Sequence, residues 1–290
     1  MTLRENCALC GAPGIPAGEK CGHLRTRAYR LARCGSCGFA WVVDADDDYA
    51  ALYDDAYYHG RGADPLVDYV GELSDPRTLR RYEWDGLLAL ARGAGARDGG
   101  TWLDFGGGAG GFARFLAGHG FDAHAYDTGA GAQLGRAHGV PVLDDEELRA
   151  LDGTWDVVSA IEVAEHVADP EPFFARIAAL LRPGGVFVIT TGNAERAPRE
   201  LPRWGYVMPE IHISFYTPAN LRTLYGRAGL EPVDMAGARG WNGVVRYKTL
   251  KTLGVHRAGG APALLPWGLL APQIDRVRGV SAMPFARKPL

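Results

Sequence analysis

The sequence predicts an α/β fold with a mostly parallel sheet, preceded by a small cysteine-rich module. Two observations carry this prediction. From about residue 77 onward, short apolar runs alternate with helical patterns, as in proteins whose parallel sheet is covered by helices on both faces. All five cysteines lie within residues 1–45. The two parts are therefore expected to fold around different kinds of stabilising contacts.

The composition is that of an ordinary globular protein. Of 290 residues, 47% are hydrophobic and 22% are charged, which is enough apolar material for a buried core. The net charge is -3 and no Lys/Arg block is present, which argues against a nucleic-acid partner. No apolar run approaches the roughly 18 residues of a membrane span, and the N-terminus lacks a signal-peptide pattern. We expect a cytoplasmic protein without a membrane partner; its oligomeric state stays open.

Two cysteine pairs predict a metal site. Cys7 and Cys10 form one C-x-x-C turn, Cys34 and Cys37 form another, and 23 residues separate the two pairs. Two such turns supply four thiolates in a tetrahedral arrangement, which suits a closed, structural Zn²⁺ site. Residues 1–45 are therefore predicted to be a zinc module.

Other uses of these cysteines remain open at this point. The four thiols could form two disulfides or stay free, although a cytoplasmic setting argues against disulfides. Cys21 and His23 are alternative ligands, but Cys21 is predicted to be a free thiol in the loop between the pairs.

The remaining elements follow in chain order. Residues 46–76 are acidic and Tyr-rich, and are predicted to be a linker with a helical segment. Residues 77–235 are predicted to be the main domain. Its strands are TWLDF, DAHAYD, VPVLDD, WDVVSAI and VFVITTG; its helices include FARFLAGHG, FFARIAALL and TPANLRTLYGRAGL. Thr217 is the expected N-cap of the last helix, with Pro218 in its first turn. Residues 236–290 are predicted to hold a helical insertion (244–279) and a closing edge strand.

A glycine loop indicates a nucleotide-like cofactor. Gly106, Gly108 and Gly111 follow a predicted strand and open a predicted helix, so the backbone can approach a ligand at a helix N-terminus. Asp127 ends the next strand about 20 residues later, where a carboxylate accepts hydrogen bonds from ribose hydroxyls. Together these features predict an adenosine-type cofactor; the alternative is a glycine-rich turn with a surface aspartate.

Further motifs carry a family resemblance. LDFGGGAGG (103–111), with Asp104 before the glycines, resembles the first motif of class I S-adenosylmethionine (SAM)-dependent methyltransferases. EVAEHV (162–167) resembles their motif after the fourth strand, with Ala164 where leucine is usual. LLRPGGVFVIT resembles their turn into the fifth strand. The resemblance covers residues 77–235 and the final strand, and implies a Rossmann-like sheet. The preceding cysteine module is similar to the layout of sugar C-methyltransferases.

The resemblance implies roles for individual residues. Those expected to contact SAM follow the strand ends: Asp104, Gly106, Gly108 and Gly110 on the methionine side, Asp127 at the ribose, Leu143 and Asp144 beside the adenine, and Ile161 and Glu162 along the edge of the cofactor. His166 is the leading candidate for the base, since neutral imidazole is available near pH 7. Glu165 and His212 are further catalytic candidates.

Several functions are compatible with these patterns. The first is methyl transfer to carbon, oxygen or nitrogen of a small molecule, in natural-product or sugar metabolism. The zinc module and the insertion, with Trp241 and Trp267, would then cover the acceptor pocket. An NAD-dependent oxidoreductase is an alternative, although no lysine lies near the fourth or fifth strand in sequence. A SAM-using cyclase and a non-catalytic binding protein are further alternatives.

Overall fold

The computed structural model describes residues 3–64, 67–255 and 257–290. The strands are β1 Gly14–Cys21, β2 Ala28–Cys34, β3 Ala40–Val42, β4 Thr101–Phe105, β5 Asp122–Tyr126, β6 Val142–Leu143, β7 Trp155–Ile161, β8 Leu181–Thr190, β9 Ser214–Phe215, β10 Glu231–Val233 and β11 Phe285–Arg287. The helices are α1 Asp55–Tyr58, α2 Tyr69–Ser74, α3 Arg81–Gly93, α4 Gly111–Ala117, α5 Gly129–Ala137, α6 Asp145–Ala150, α7 Pro170–Leu180, α8 Pro218–Arg227, α9 Trp241–Thr252 and α10 Trp267–Arg278. The predicted linker and the predicted insertion each lie partly outside the described residues.

The main sheet confirms the predicted fold class. Within the described chain its strand order is β6-β5-β4-β7-β8-β11-β10. The strands β4 to β8 pair in parallel, whereas β11 is antiparallel to both of its neighbours. The sequence predicted that the final strand would lie at the edge of the sheet. This was wrong, because β10 pairs with the outer side of β11. The fold is a Rossmann-like α/β sheet followed by C-terminal helices.

Buried apolar runs form the centre of this sheet. Val157 and Val158 of β7, and Phe187 and Val188 of β8, have no exposed surface. Strands covered on both faces carry such continuous apolar runs instead of alternating ones. The core therefore lies along β4, β7 and β8, and their carboxyl ends are held rigidly.

The C-terminal helices pack against α3 through glycines. A Cβ atom at Gly86 would lie 2.5 Å from the carbonyl oxygen of Gly240, and one at Gly243 would lie 2.2 Å from that of Tyr82. Only glycine fits contacts this close. The close approach fixes α9 beside α3, so the C-terminal segment forms a wall next to the strand ends.

The cysteine module shares its sheet with the main domain. The sheet order is β1-β2-β3-β9, and β9 follows β8 in the chain by more than twenty residues. The buried carboxylate of Glu210 accepts hydrogen bonds from the amides of His23 (2.6 Å) and Leu24 (3.0 Å). The segment before β9 is therefore braced by the module. Among the described residues, no helix is both long and apolar enough to cross a membrane.

Candidate active site

A cavity of about 790 Å³ lies at the carboxyl ends of β4, β5 and β7. Its walls include the loop after β4, the residues that follow β7 and β8, and parts of α9 and α10. Open α/β sheets bind their ligands at this end of the strands. The predicted cofactor loop and the predicted catalytic segment thus border one space.

The glycine loop turns sharply between β4 and α4. Gly106, Gly108 and Gly110 have φ angles of 71°, 58° and 81°, a region that residues with side chains rarely adopt. Gly106 and Gly108 line the cavity, and a Cβ atom at Gly106 would lie 2.7 Å from Val163. Gly110 instead faces Val140, where a Cβ atom would lie 2.5 Å from that side chain. A glycine is therefore required at position 110, where the start of α4 packs against Val140.

Asp104 lies beneath this loop and is buried at 3% exposure. The hydroxyl of Ser159 donates a 2.7 Å hydrogen bond to its carboxylate. Burial raises the pKa of Asp104 to about 7, although the Ser159 hydrogen bond acts in the opposite direction. Asp104 therefore joins β4 to β7 directly below the glycines.

Asp127 directly follows β5 and lines the cavity. Its carboxylate accepts hydrogen bonds from the amides of Gly108 and Thr128, each at 2.7 Å. The hydroxyl of Tyr58 lies 3.4 Å from it. Burial raises the pKa of Asp127, and the amide hydrogen bonds lower it. Asp127 thus holds the glycine loop in its turn; its contact with a ribose stays a prediction.

Leu143 and Asp144, two of the predicted cofactor residues, lie at and after the end of β6, the strand at one edge of the main sheet. Leu143 is buried, and neither residue is among the described residues that line the cavity. Asp144 caps α6 by accepting hydrogen bonds from the amides of Glu146 and Glu147, both at 2.9 Å. Their places beside an adenine stay a prediction.

Ile161 and Glu162, at the end of β7, both line the cavity. Glu162 has a φ of 55°, in the left-handed region that a side chain makes costly. The ammonium of Lys248 lies 2.6 Å from its carboxylate. Burial alone would raise the pKa of Glu162, but the Lys248 charge and hydrogen bond outweigh it and hold the value at about 2. A lysine that is distant in sequence therefore reaches the end of β7 in the folded chain.

Glu165 lies next to this pair and has no exposed surface. Its carboxylate accepts hydrogen bonds from the hydroxyls of Thr191, at 2.8 Å, and Tyr206. Burial, reinforced by the negative charge of Glu162, raises the pKa of Glu165 to about 8. Glu165 does not line the cavity, so a small molecule bound there would meet its neighbours first.

His166 and His212 line the cavity side by side, with ring centroids 4.8 Å apart. Nδ1 of His166 lies 2.9 Å from the carbonyl oxygen of Ile211 and 2.7 Å from the hydroxyl of Tyr53. Nδ1 of His212 lies 2.6 Å from the carbonyl oxygen of Tyr206. A carbonyl only accepts, so Nδ1 carries the proton in both rings and Nε2 keeps its lone pair. Burial lowers the pKa of both, that of His212 to about 3.

One wall of the cavity combines the acidic, Tyr-rich stretch with α9, which lies in the C-terminal segment that the sequence predicts to cover a pocket. Tyr53, Tyr57 and Tyr58 of the acidic stretch line it, as do Tyr247 and Lys248 of α9. The tyrosines in and just before α1 were a local signal for this wall, whereas the sequence pointed to the covering segment without naming Tyr247 or Lys248.

The predicted cover of the pocket was partly wrong. Trp241 packs against Phe285, and Trp267 is buried in an apolar cluster with Leu250. Neither tryptophan lines the cavity, and neither does any described residue of 3–45. The insertion does contribute to the wall, through α9 and α10. The cysteine module instead contacts Glu210 and β9, outside the cavity.

The four paired cysteines form a compact cluster. The Sγ atoms of Cys7 and Cys37 lie 3.6 Å apart, and those of Cys10 and Cys34 lie 3.4 Å apart. Four thiolates around one Zn²⁺ lie roughly 3.8 Å from one another, so the cluster fits zinc. Cys21 is exposed at the end of β1 and is not part of it.

Backbone geometry prepares these thiols for a metal. Gly11 and Gly38, which follow the second cysteine of each pair, have φ angles of 71° and 76°. Each amide donates to the first cysteine's carbonyl oxygen, at 2.9 and 3.0 Å. Burial opposes ionisation of Cys34, but amide hydrogen bonds outweigh it and lower its pKa to about 7.

Comparison with known proteins places the chain in a family. Residues 77–234 match the family described as a methyltransferase domain, which is more than half of the 290 residues. The chain belongs to this methyltransferase family. Membership favours methyl transfer over the NAD-dependent oxidoreductase that the glycine loop alone left open.

Curated relatives match parts of the methyltransferase domain. The ubiquinone biosynthesis O-methyltransferase of a Caulobacter species is 34% identical over 182 residues, covering 57% of this chain and 69% of the relative. The enzyme of the same name from Cereibacter sphaeroides is 37% identical over 102 residues, covering 32% of this chain and 40% of the relative. The chain thus spans about two fifths of the length of the latter relative.

A solved structure shares the fold. A chain in the complex between the Haloferax volcanii Trm112 methyltransferase activator and a methyltransferase superposes with a TM-score of 0.51 at 19% identity. The match covers 85% of this chain and all of that one. At this identity the likeness extends to the fold alone.

Proposed function

We propose that the protein is a SAM-dependent methyltransferase that acts on a small-molecule acceptor. One observation carries the proposal: the glycine loop, Glu162 and His166 all border the same cavity. Membership of the methyltransferase family supports it. SAM supplies the methyl group on a sulfonium and leaves as a thioether. The protein's own part is to bind, orient and exclude water.

The cofactor would lie along the strand ends. Gly106 and Gly108 leave room for the methionine part at the N-terminus of α4, where backbone amides and the helix dipole favour a carboxylate. Asp127, which follows β5 and lines the cavity, would accept hydrogen bonds from the ribose hydroxyls. Ile161 and Glu162 would lie along its edge.

The acceptor would enter between the tyrosines around α1 and the inner face of α9. His166 is the proposed base: its Nδ1 proton is directed at Ile211, so Nε2 has a free lone pair. A neutral imidazole in that tautomer removes a proton from an acceptor hydroxyl, amine or activated carbon. Glu165 and His212 would position it and shape the pocket.

The acceptor class is proposed on narrower grounds. The order of cysteine module and methyltransferase domain is similar to that of sugar C-methyltransferases, which favours natural-product or sugar metabolism. The ubiquinone relatives described above match only part of the chain, so they do not specify the acceptor.

Zinc is the proposed structural ion of the four-cysteine cluster. The thiol spacing and the glycines after each pair support it. The ion would hold β1 to β3 together and thereby support β9 and the segment that carries His212.

The test is release of S-adenosylhomocysteine from SAM in the presence of a panel of small-molecule acceptors. The unsubstituted enzyme should release it with at least one acceptor, and His166→Ala should do so about 100-fold more slowly. S-adenosylhomocysteine should bind the variant as tightly as before. Equal turnover by the variant would remove His166 as the base.

A further inference from the structure

Three side chains beside the cavity have the chemistry of a metal site. One donor atom each from Glu165, His166 and His212 all lie within 4.8 Å of one another. Two segments bring them together: the turn after β7 and the segment before β9. Glu165 and His212 are at least nine-tenths buried, and both rings face the cavity.

Both imidazoles are oriented as metal ligands usually are. A ligating histidine typically donates its other ring N–H to a carbonyl or a carboxylate, which fixes its tautomer and plane. Here the acceptors are the carbonyl oxygens of Ile211, for His166, and Tyr206, for His212. Nδ1 of each ring is directed at its carbonyl oxygen, so Nε2 is the nitrogen left to bind an ion.

The local charge also favours a cation. Two carboxylates approach the hydroxyl of Tyr206, that of Glu162 at 3.1 Å and that of Glu165 at a shorter distance. Lys248 offsets the charge of Glu162. Glu165 has no cationic side chain within ion-pair distance among the described residues. A buried carboxylate without a counter-ion is costly unless it stays protonated or binds a cation.

We infer that Glu165, His166 and His212 form a site for a divalent first-row transition-metal ion. Two imidazoles and one carboxylate suit Fe²⁺, Mn²⁺, Co²⁺ or Zn²⁺, and they leave coordination positions open. Mg²⁺ prefers oxygen ligands and is a poor match. Because His166 and His212 line the cavity, an ion held there would be completed by an acceptor that offers an oxygen, such as a hydroxyl or an enolate.

The ion would change how the acceptor loses its proton. A metal-bound hydroxyl has a lowered pKa and releases its proton to water. With the ion bound, His166 would hold the metal, whereas in the metal-free protein the same Nε2 would take the proton as proposed above. This reading of the acceptor rests on the proposed function, whereas binding of the ion does not.

The test is titration of the full, zinc-loaded chain with Mn²⁺, followed by loss of the electron paramagnetic resonance signal of the free ion. Mn²⁺ prefers nitrogen and oxygen ligands, so it does not compete for the four thiolates. We expect one further ion per chain. His212→Ala and Glu165→Gln should weaken its binding at least 10-fold.

A matched control is available in His138→Ala. His138 is exposed at the end of α5, and its Nδ1 also lies 2.8 Å from a carbonyl oxygen, that of Leu134. This variant should bind Mn²⁺ like the unsubstituted protein. The melting temperature of His212→Gln should be compared with that of the unsubstituted protein. If the two are equal, weaker Mn²⁺ binding by the variant reflects loss of the imidazole and not loss of folding.

Two results would overturn the inference: no Mn²⁺ bound at millimolar concentration, or equal binding by His212→Gln and the unsubstituted chain when both are folded. Measuring the affinity for S-adenosylhomocysteine in parallel distinguishes failure of the metal-site inference from failure of the proposed function. Mn²⁺ binding without S-adenosylhomocysteine binding would contradict the methyltransferase proposal alone, and the reverse would contradict the metal site alone.

Discussion

The ammonium of Lys248 lies 2.6 Å from the carboxylate of Glu162, although 86 residues separate them in sequence. This ion pair joins α9 to the end of β7. It also neutralises the carboxylate of Glu162, a residue whose backbone has a positive φ angle. The wall that α9 adds to the cavity is therefore fixed to the strand end that carries the proposed catalytic segment.

Lys248→Met should destabilise the protein and loosen this wall. The Glu162 side chain is only 26% exposed, so loss of its partner leaves a poorly solvated charge. We expect the free energy of unfolding to fall by about 1–3 kcal/mol, measured by urea denaturation. Adding Glu162→Gln should recover part of the loss.

Arg199→Met, at an exposed position, is the control for loss of one positive charge. Its effect should be within about 0.5 kcal/mol. If Lys248→Met were as mild as Arg199→Met, the ion pair would have no stabilising role.

Asp127→Asn should weaken binding of S-adenosylhomocysteine. The carboxylate accepts two amide hydrogen bonds from the glycine loop and is the proposed ribose partner. Loss of its charge should cost about 1.5–3 kcal/mol, or roughly 10- to 100-fold in dissociation constant. Calorimetry measures this directly, with Asp85→Asn on the outer face of α3 as control. Unchanged affinity would remove Asp127 from the cofactor site.

Asp104 predicts a pH dependence of stability. Burial raises its pKa in the folded protein to about 7, from an ordinary value of 3.8. Between these values the folded state binds more protons than the unfolded state, so the free energy of unfolding falls as pH rises. The slope from this group is at most about 1.4 kcal/mol per pH unit.

Asp104→Asn should remove that component. Urea denaturation of the cofactor-free protein at pH 5, 6 and 7 measures the slope for each chain. The variant should lose less stability over this range than the unsubstituted protein. Parallel slopes would show that the Asp104 carboxyl is not protonated in the fold.

Removal of the proposed zinc should disturb residues 212–215, although they lie outside the cysteine module. Elemental analysis should find about one zinc per chain in protein purified without added metal. After chelation, hydrogen exchange should speed up at residues 23–25 and also at 212–215, because Glu210 and β9 join the two regions. Faster exchange in the module alone would show that the segment is independent of it.

Local signals in the sequence predicted much of the fold. The hydroxyl of Thr217 accepts a 3.2 Å hydrogen bond from the amide of Asn220, as expected of the N-cap of α8. The glycine loop and the strand before it follow from steric and apolar patterns within a few residues. Such features are readable because neighbours in the chain determine them.

Contacts between distant segments were not readable. Lys248 reaches Glu162, and Glu210 caps a loop in the cysteine module, over separations that no periodicity encodes. The last strand has the composition of an edge strand, but β10 covers it. His166 and His212 were each chosen singly, and only the fold brings them to 4.8 Å between ring centroids.

The central claim is that the cavity binds SAM. The most direct test is calorimetric titration of the purified protein with S-adenosylhomocysteine, alongside NAD and NADP. We predict micromolar binding of S-adenosylhomocysteine at one site per chain and no binding of either dinucleotide. Binding of NAD in its place would contradict the assignment of the glycine loop and the mechanism built on it.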